Sequence, residues 1–145
     1  MTSQLPPIIK AAERLVVEVE NAVRRFDRHH RYQIGAELRT KAMAVLDLAH
    51  RAWRDHERKE RWVSQLVWTV DQLQHRLQVA KLLKATTSFR QFEHLLRLSV
   101  ELGRQAGGWR KSLQHPNGQN ARGGSAVAQR AKRLSTRAAS AGATS

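Results

Sequence analysis

The sequence predicts an all-α protein built as an up-and-down antiparallel four-helix bundle. Apolar residues recur every three or four positions in four successive segments, which is the period of a helix with one buried face. The segments are joined by short polar connections, which make consecutive helices antiparallel neighbours. No alternating apolar and polar pattern typical of a strand appears. A chain of 145 residues with 41% hydrophobic residues has room for one such domain.

The first two predicted helices lie between Pro6 and Trp53. The first begins at Pro6 and Pro7, because proline is tolerated in a first turn, and its buried positions are Ile8, Ala11, Ala12, Leu15, Val19, Ala22, Val23 and Phe26. A polar loop over residues 28–33, closed by Gly35, should follow. The second helix buries Ile34, Leu38, Met43, Val45, Leu46, Ala49 and Trp53. The highly charged segment 54–61 fits either a turn or a continuing helix.

The third and fourth predicted helices complete a bundle over residues 1–113. The third buries Trp62, Val63, Leu66, Val70, Leu73, Leu77, Ala80 and Leu83, with Lys84 turned outward at its end. The fourth opens at Thr87 and Ser88, where Ser88 and Gln91 have the spacing of a capping box. It runs to about Leu113 and buries Phe89, Phe92, Leu95, Leu96, Leu98, Leu102 and Ala106.

The composition changes from Gln114 onward, and residues 114–145 are predicted to form a flexible basic tail rich in Gly, Ser, Ala and Arg. Turn-forming residues dominate its first part. The part from Ala126 to Ser145 has no acid and too few apolar residues to build a core. It either serves only to keep the protein in solution or contacts phosphates and becomes helical on them. The phosphate contacts would then come from Arg130, Lys132, Arg133 and Arg137.

The charge balance predicts a polyanionic partner. The chain has 26 Lys or Arg against 12 Asp or Glu, a formal net charge of +14. Through Asp71 there are 13 basic and 10 acidic residues, whereas after it there are 13 basic residues and only Glu93 and Glu101. The excess also favours Arg, 19 to 7 over Lys, and the guanidinium fork suits phosphate. The second half of the chain should therefore carry the binding surface.

Composition and motifs argue against an enzyme, a metal site and a membrane protein. With no cysteine, thiolate zinc sites, thiol nucleophiles and disulfide frameworks are excluded. The seven histidines lack the spacing of metal ligands, so neither a metal nor a cofactor is expected. No phosphate-binding glycine loop or nucleophile motif is present. No signal peptide or apolar run of membrane length occurs, so we expect a cytoplasmic protein.

One enzymatic pattern stays open as an alternative. An Arg is followed five residues later by a His in several places, among them Arg24 and His29, Arg25 and His30, and Arg51 and His56. This spacing is similar to that of the helical-bundle ribonucleases of the HEPN type. In such an enzyme, Arg would stabilise charge on the phosphate while His transfers a proton.

A basic surface on the third and fourth helices is the main candidate site. Arg90, Arg97 and Arg104 are each seven residues apart and therefore form one stripe on a helix. Because acids are nearly absent there, we expect this stripe to be unpaired and to bind phosphates. Arg76, Lys81 and Lys84 extend the basic surface onto the third helix.

Glycines near the end of the fourth helix predict a close packing surface. Gly103, Gly107 and Gly108 stand inside a helical pattern, although each glycine costs a helix about 1 kcal/mol relative to alanine. Small side chains let another helix or subunit approach, with Trp109 as an anchor. Four tryptophans are more than one bundle core needs, so at least one should lie at an interface.

Two segments of the chain resemble the accessory variability determinant family of diversity-generating retroelements. They are residues 30–35 after the first helix and the ending Gly-Arg-Gln-Ala-Gly-Gly-Trp-Arg-Lys-Ser, residues 103–112. A Leu-rich third helix with Lys81 accompanies them, and the resemblance covers about residues 8–113. These proteins are four-helix bundles related to those encoded by ribosomal RNA intervening sequences.

The resemblance implies a homopentameric barrel of bundles that is not catalytic. It would be the partner of an error-prone reverse transcriptase and would bind template RNA and cDNA during mutagenic retrohoming. Arg76, Lys81, Lys84 and Arg90 are then the expected contacts to polymerase and nucleic acid. Besides the ribonuclease, the other alternative is an oligomeric scaffold whose basic face meets an acidic protein.

Overall fold

The computed structural model of the chain describes residues 5–86 and 88–115. The chain divides into a first compact unit, Met1–Arg110, and a second unit, Lys111–Ser145. The helices are α1 (Pro7–Val23), α2 (Arg28–Tyr32), α3 (Ile34–Arg54), α4 (Lys59–Leu82) and α5 (Phe89–Gln114). No strand occurs among the described residues, so the all-α prediction is confirmed for them. In the second unit, the backbone N–H of His115 donates to Lys111 O at 3.0 Å.

Polar contacts between helices show that α1, α3 and α4 are antiparallel neighbours. Arg39 on α3 donates two hydrogen bonds to Glu20 on α1, at 2.7 and 3.2 Å. On the other side of α3, Lys41 Nζ donates to Gln72 Oε1 at 3.0 Å. Arg76 Nε donates to Glu37 Oε1, also at 3.0 Å. Residue numbers rise along one helix as they fall along its neighbour, which is the antiparallel relation.

The helix α5 closes the bundle between α4 and α1. Gln74 Nε2 on α4 donates to Ser99 O on α5 at 3.0 Å. His94 Nε2 on α5 lies 4.0 Å from Glu18 Oε1 on α1. The four long helices therefore form a helical bundle around one apolar core. Its largest fully buried side chains come from all four helices and include Ile9, Leu15, Leu38, Leu66, Leu73, Leu77, Leu95 and Leu102.

Gly35 lies where α3 packs closely against the end of α1. A Cβ on Gly35 would lie 2.7 Å from Val23 Cγ1 and 3.2 Å from the carbonyl oxygen of His30. Both distances are shorter than an ordinary van der Waals contact. Gly35 is buried in the first turn of α3, so it packs one helix on another instead of closing a loop as the sequence predicts.

Several local predictions are wrong. Residues 28–32, predicted to be a loop, form α2, because the side chain of Asp27 accepts from the backbone N–H of His30 at the helix N-terminus. Met43 is 47% exposed, and its neighbour Ala42 fills the core in its place. Leu83 and Phe89 are 47% and 70% exposed, because α4 and α5 end and begin beside them. The charged segment 54–61 is divided, since α3 ends at Arg54 and α4 begins at Lys59.

Candidate nucleic-acid interface

The helix α4 ends in a tight, strained turn at one end of the bundle. The backbone N–H of Lys84 donates to Lys81 O, and that of Ala85 donates to Ala80 O, both at 3.0 Å. This pair of bonds is the Schellman ending of a helix, which requires one residue in the left-handed region. That residue is Lys84, with φ of 57°. Glycine usually occupies such a position, because a Cβ there costs roughly 1 to 2 kcal/mol.

A side-chain cap starts α5 on the other side of this turn. Ser88 Oγ accepts from the backbone N–H of Gln91 at 3.2 Å, and Thr86 Oγ1 accepts from the backbone N–H of Ser88 at 3.1 Å. Gln91 Oε1 is buried and has no partner among the described residues. The predicted capping box is therefore formed in one direction only. The cap fixes the position of Arg90 in the first turn of α5.

Three of the predicted contact residues lie together at this turn, and we call Lys81, Lys84 and Arg90 the basic turn. All three side chains are exposed. Within residues 5–86 and 88–115, none of the three side chains forms an ion pair or a hydrogen bond. Three cations that have no ion-pair partner among the described residues create a positive potential that is available to a polyanion.

Large apolar side chains surround the basic turn. Leu82 is 71% exposed, Leu83 is 47% exposed and Phe89 is 70% exposed. An exposed aromatic ring beside cations is the arrangement that single-stranded nucleic acids bind, since the ring stacks on a base while the cations contact phosphates. The same end of the bundle also carries exposed Arg25 and Arg28 at the connection between α1 and α2. The interface therefore combines charge with stacking surface.

The other three predicted contact residues are paired with carboxylates. Arg76 lies 3.0 Å from Glu37 Oε1, and Arg97 lies 3.2 Å from Glu93 Oε1. Arg104 Nε donates to Glu101 Oε1 at 3.1 Å. The expectation of an unpaired arginine stripe is thus wrong at two of its three positions, because the two acids that follow Asp71 fall within one helical turn of the stripe.

One of these exposed ion pairs shifts the pKa of both its partners. The hydrogen bonds from Arg104 lower the pKa of Glu101 below its usual range and raise the pKa of Arg104. Exposed ion pairs contribute little to stability, so Arg97 and Arg104 can exchange their carboxylates for phosphates at modest cost. They are secondary candidates, and the basic turn is the primary one.

The predicted packing glycines have different surroundings. A Cβ on Gly103 would lie 3.3 Å from Gln74 Nε2 and 3.6 Å from Val70 Cγ1, so Gly103 lies against α4. A Cβ added to Gly107 or Gly108 would meet no atom of the described residues within 4 Å.

Trp109 is half-buried beside α1 and borders a cavity of about 210 Å³ with Pro6, Pro7, Ile8 and Gln105. Lys59 Nζ lies 5.5 Å from the centre of the Trp109 ring.

Trp68 is the most exposed of the four tryptophans. It is 61% exposed and lies on α4, and Val79 and Leu82 lie on the same outward face. Exposed apolar surface of this kind is typical of protein interfaces. The expectation that one tryptophan lies at an interface stays a prediction, and Trp68 is its candidate.

Two residues of the ribonuclease alternative, His30 and Arg51, have contacts with other side chains. His30 Nδ1 lies 2.9 Å from Asp27 Oδ2, and the same carboxylate caps α2. The hydrogen bond from the backbone N–H of His30, followed by that with its ring, lowers the pKa of Asp27. Arg51 lies over the ring of Trp62 at 5.1 Å, and no contact joins it to the exposed His56 among the described residues.

Metal-binding clusters and membrane-spanning helices are both absent from the described ranges. In residues 5–86 and 88–115, no three His, Asp or Glu side chains are grouped so that they could hold a metal ion. Nor does any helix there have the length and apolar character required to cross a membrane.

The predicted tail contacts Arg130, Lys132, Arg133 and Arg137 lie outside the described residues. Comparison with known proteins found no matching family model and no matching curated protein.

Proposed function

We propose that this protein is a non-catalytic nucleic-acid-binding partner of a reverse transcriptase, similar to the accessory proteins of diversity-generating retroelements. The observation that carries the binding part of this proposal is the basic turn. Lys81, Lys84 and Arg90 are exposed without a carboxylate partner among the described residues, and the exposed Phe89, next to Arg90 in the chain, offers a stacking surface. Binding through phosphates would be independent of base sequence.

The polymerase partner and the retrohoming role come from the sequence resemblance. The residues that carry it include the ending of α5, where Gly107 and Gly108 present bare backbone. In this proposal the bundle assembles as a homopentamer, which would carry five times the +14 charge of one chain. The exposed face of α4 with Trp68 provides apolar surface for protein contacts.

The binding proposal is tested by the salt dependence of affinity. Fluorescence anisotropy with labelled RNA, DNA and hybrid oligonucleotides should give similar affinities at low salt. The logarithm of the association constant should fall linearly with the logarithm of salt concentration, by about 0.9 for each phosphate neutralised on duplex DNA. Absence of binding at low salt would instead favour the scaffold alternative, and salt-independent binding would contradict a phosphate-based interface.

The assembly and the polymerase contact need separate measurements. Light scattering should give five times the 16.5 kDa mass of the chain. Affinity purification of the tagged full chain should recover a reverse transcriptase encoded by a neighbouring reading frame. A different oligomer number would contradict only the proposed pentamer. If no reverse transcriptase is encoded next to the gene of this protein, the retroelement role is contradicted.

A further inference from the structure

A cluster of cations lies at the opposite end of the bundle, where α3 turns into α4. His50, Arg51, Arg54 and Asp55 line an open cavity of about 460 Å³, which we call the α3–α4 corner. The helix α4 has 24 residues and is therefore about 36 Å long. The corner is thus separated from the basic turn by most of the length of the bundle, and one phosphate cannot contact both.

Tryptophan rings position the two arginines of the corner. The guanidinium carbon of Arg51 lies 5.1 Å from the centre of the Trp62 ring, and that of Arg54 lies 5.9 Å from the centre of the Trp53 ring. These cation–π contacts restrict the side chains without using their hydrogen-bond donors. Neither guanidinium donates a hydrogen bond to any described residue. Both therefore present unused N–H groups at the same cavity.

Local donors already bind Asp55, the carboxylate that lines the corner. Asp55 accepts from Trp62 Nε1 at 3.0 Å, and its other oxygen accepts from the backbone N–H of Arg58 at 3.2 Å. Arg58 Nε also lies 3.2 Å from the Asp55 carboxylate. The last carbonyls of α3 would oppose an anion, but Lys59 Nζ donates to Ala52 O at 2.5 Å and to Trp53 O at 3.3 Å. The residues that line the corner therefore carry two guanidinium groups against one carboxylate, a formal net charge of +1 with His50 neutral.

We propose that the α3–α4 corner is a second anion site, which binds a phosphate group through Arg51 and Arg54. Guanidinium N–H groups donate in a fork that matches phosphate oxygens. The His50 imidazole lines the same cavity and can add a further donor. The phosphate comes either from a nucleic-acid backbone or from a free phosphorylated small molecule. This site does not depend on the function proposed for the basic turn.

The test uses the indole N–H signals of the full chain in two-dimensional NMR. Four tryptophans give few signals, which single Trp→Phe variants assign. Sodium pyrophosphate and a single-stranded uridine dodecamer serve as the two probes, with sodium acetate at equal ionic strength as the control. We expect saturable shifts of the Trp53 and Trp62 signals with pyrophosphate, and none with acetate.

Matched variants separate the site from a general charge effect. The double variant Arg51→Gln/Arg54→Gln should weaken the pyrophosphate response by about tenfold or more, which corresponds to the loss of charge-assisted hydrogen bonds. The control is Arg61→Gln, because Arg61 also lies over Trp62, at 5.6 Å, but does not line the cavity. Its response should stay within about twofold of the wild type. Pyrophosphate should also raise the Tm of the wild type and not that of the double variant.

The two probes distinguish the two sources of phosphate. Responses to both probes that require Arg51 and Arg54 support a contact with the nucleic-acid backbone. A response to pyrophosphate alone supports a small phosphorylated ligand, whether or not the basic turn binds nucleic acid. Equal shifts with acetate, no saturable shift, or an unchanged response in the double variant would overturn the proposal, and none of these results would bear on the basic turn.

Discussion

The backbone N–H of Lys84 donates to the carbonyl oxygen of Lys81 at 3.0 Å, and this bond holds Lys84 at a φ of 57°. A lysine thus occupies a helix ending at which glycine is more stable. Strained residues persist where the surrounding structure determines them, and they are frequent at functional sites. Lys84 is thus both the strained residue of the turn and one of the proposed contacts to nucleic acid.

Replacing Lys84 by Gly should stabilise the fold and weaken the binding of nucleic acid. The free energy of unfolding should rise by about 1 kcal/mol, because the left-handed backbone is then unstrained. Urea denaturation measures the first effect and anisotropy the second. In the control Lys84→Gln, the charge is lost but the strain remains, so only binding should weaken. Unchanged stability in Lys84→Gly would show that the position is not strained.

Alanine substitutions at two glycines should change stability in opposite directions. Gly35→Ala should destabilise the bundle by about 1 to 3 kcal/mol, since its Cβ would lie 2.7 Å from Val23 Cγ1. Gly107→Ala is the matched control in an open part of α5, and it should stabilise the isolated chain by up to about 1 kcal/mol. Thermal unfolding of both variants measures the difference.

The same Gly107→Ala variant also tests whether another subunit approaches α5. If a neighbouring helix packs against this bare backbone, the added Cβ should reduce the oligomer mass measured by light scattering while the bundle stays folded. An oligomer of unchanged mass would exclude close packing at Gly107.

Acidification should destabilise the fold through its paired carboxylates. The hydrogen bond from Arg39 lowers the pKa of Glu20, and that from the Trp62 indole lowers the pKa of Asp55. A carboxyl with a lowered pKa in the folded state stabilises the fold above its unfolded pKa of about 4. That contribution is lost as pH falls from there through the folded pKa. Urea denaturation between pH 7 and pH 3 should show this loss, and Glu20→Gln should reduce its size.

The ribonuclease alternative predicts a different result for His30. We expect that the wild type cleaves no RNA. His30→Ala should therefore leave both RNA cleavage and nucleic-acid affinity unchanged. It should only weaken α2, whose cap is Asp27. Gel assays with labelled RNA measure cleavage. Cleavage by the wild type that His30→Ala or His56→Ala abolishes would contradict a non-catalytic role.

The helical bundle could be predicted from the sequence because its core repeats with the helical period. Leu66, Leu73 and Leu77 are predicted to be buried and are fully buried. The prediction is wrong at Met43, where the adjacent residue on the helix faces the core instead. It is also wrong at Phe89, which is the first residue of its helix. Periodicity places a residue on a helix but cannot tell which flank a neighbouring helix covers.

The candidate site was only partly predictable. The basic turn could be found, because Lys81, Lys84 and Arg90 flank a helix boundary with no acid between them. The pairing of Arg76 with Glu37 could not, since it joins residues 39 positions apart on different helices. The α3–α4 corner was also missed, because Arg51 is aligned by Trp62 from the next helix. Such contacts depend on the tertiary arrangement.

The most direct test of the account compares two triple variants with the same change in net charge. Lys81→Gln/Lys84→Gln/Arg90→Gln removes the basic turn, and Arg76→Gln/Arg97→Gln/Arg104→Gln removes three cations that are paired in the structure. We expect the first to weaken RNA binding by roughly tenfold or more and to flatten its salt dependence. The second should weaken binding by about threefold or less, since exposed paired charges contribute little. Equal losses in the two triple variants would contradict a localised interface and leave only general charge attraction.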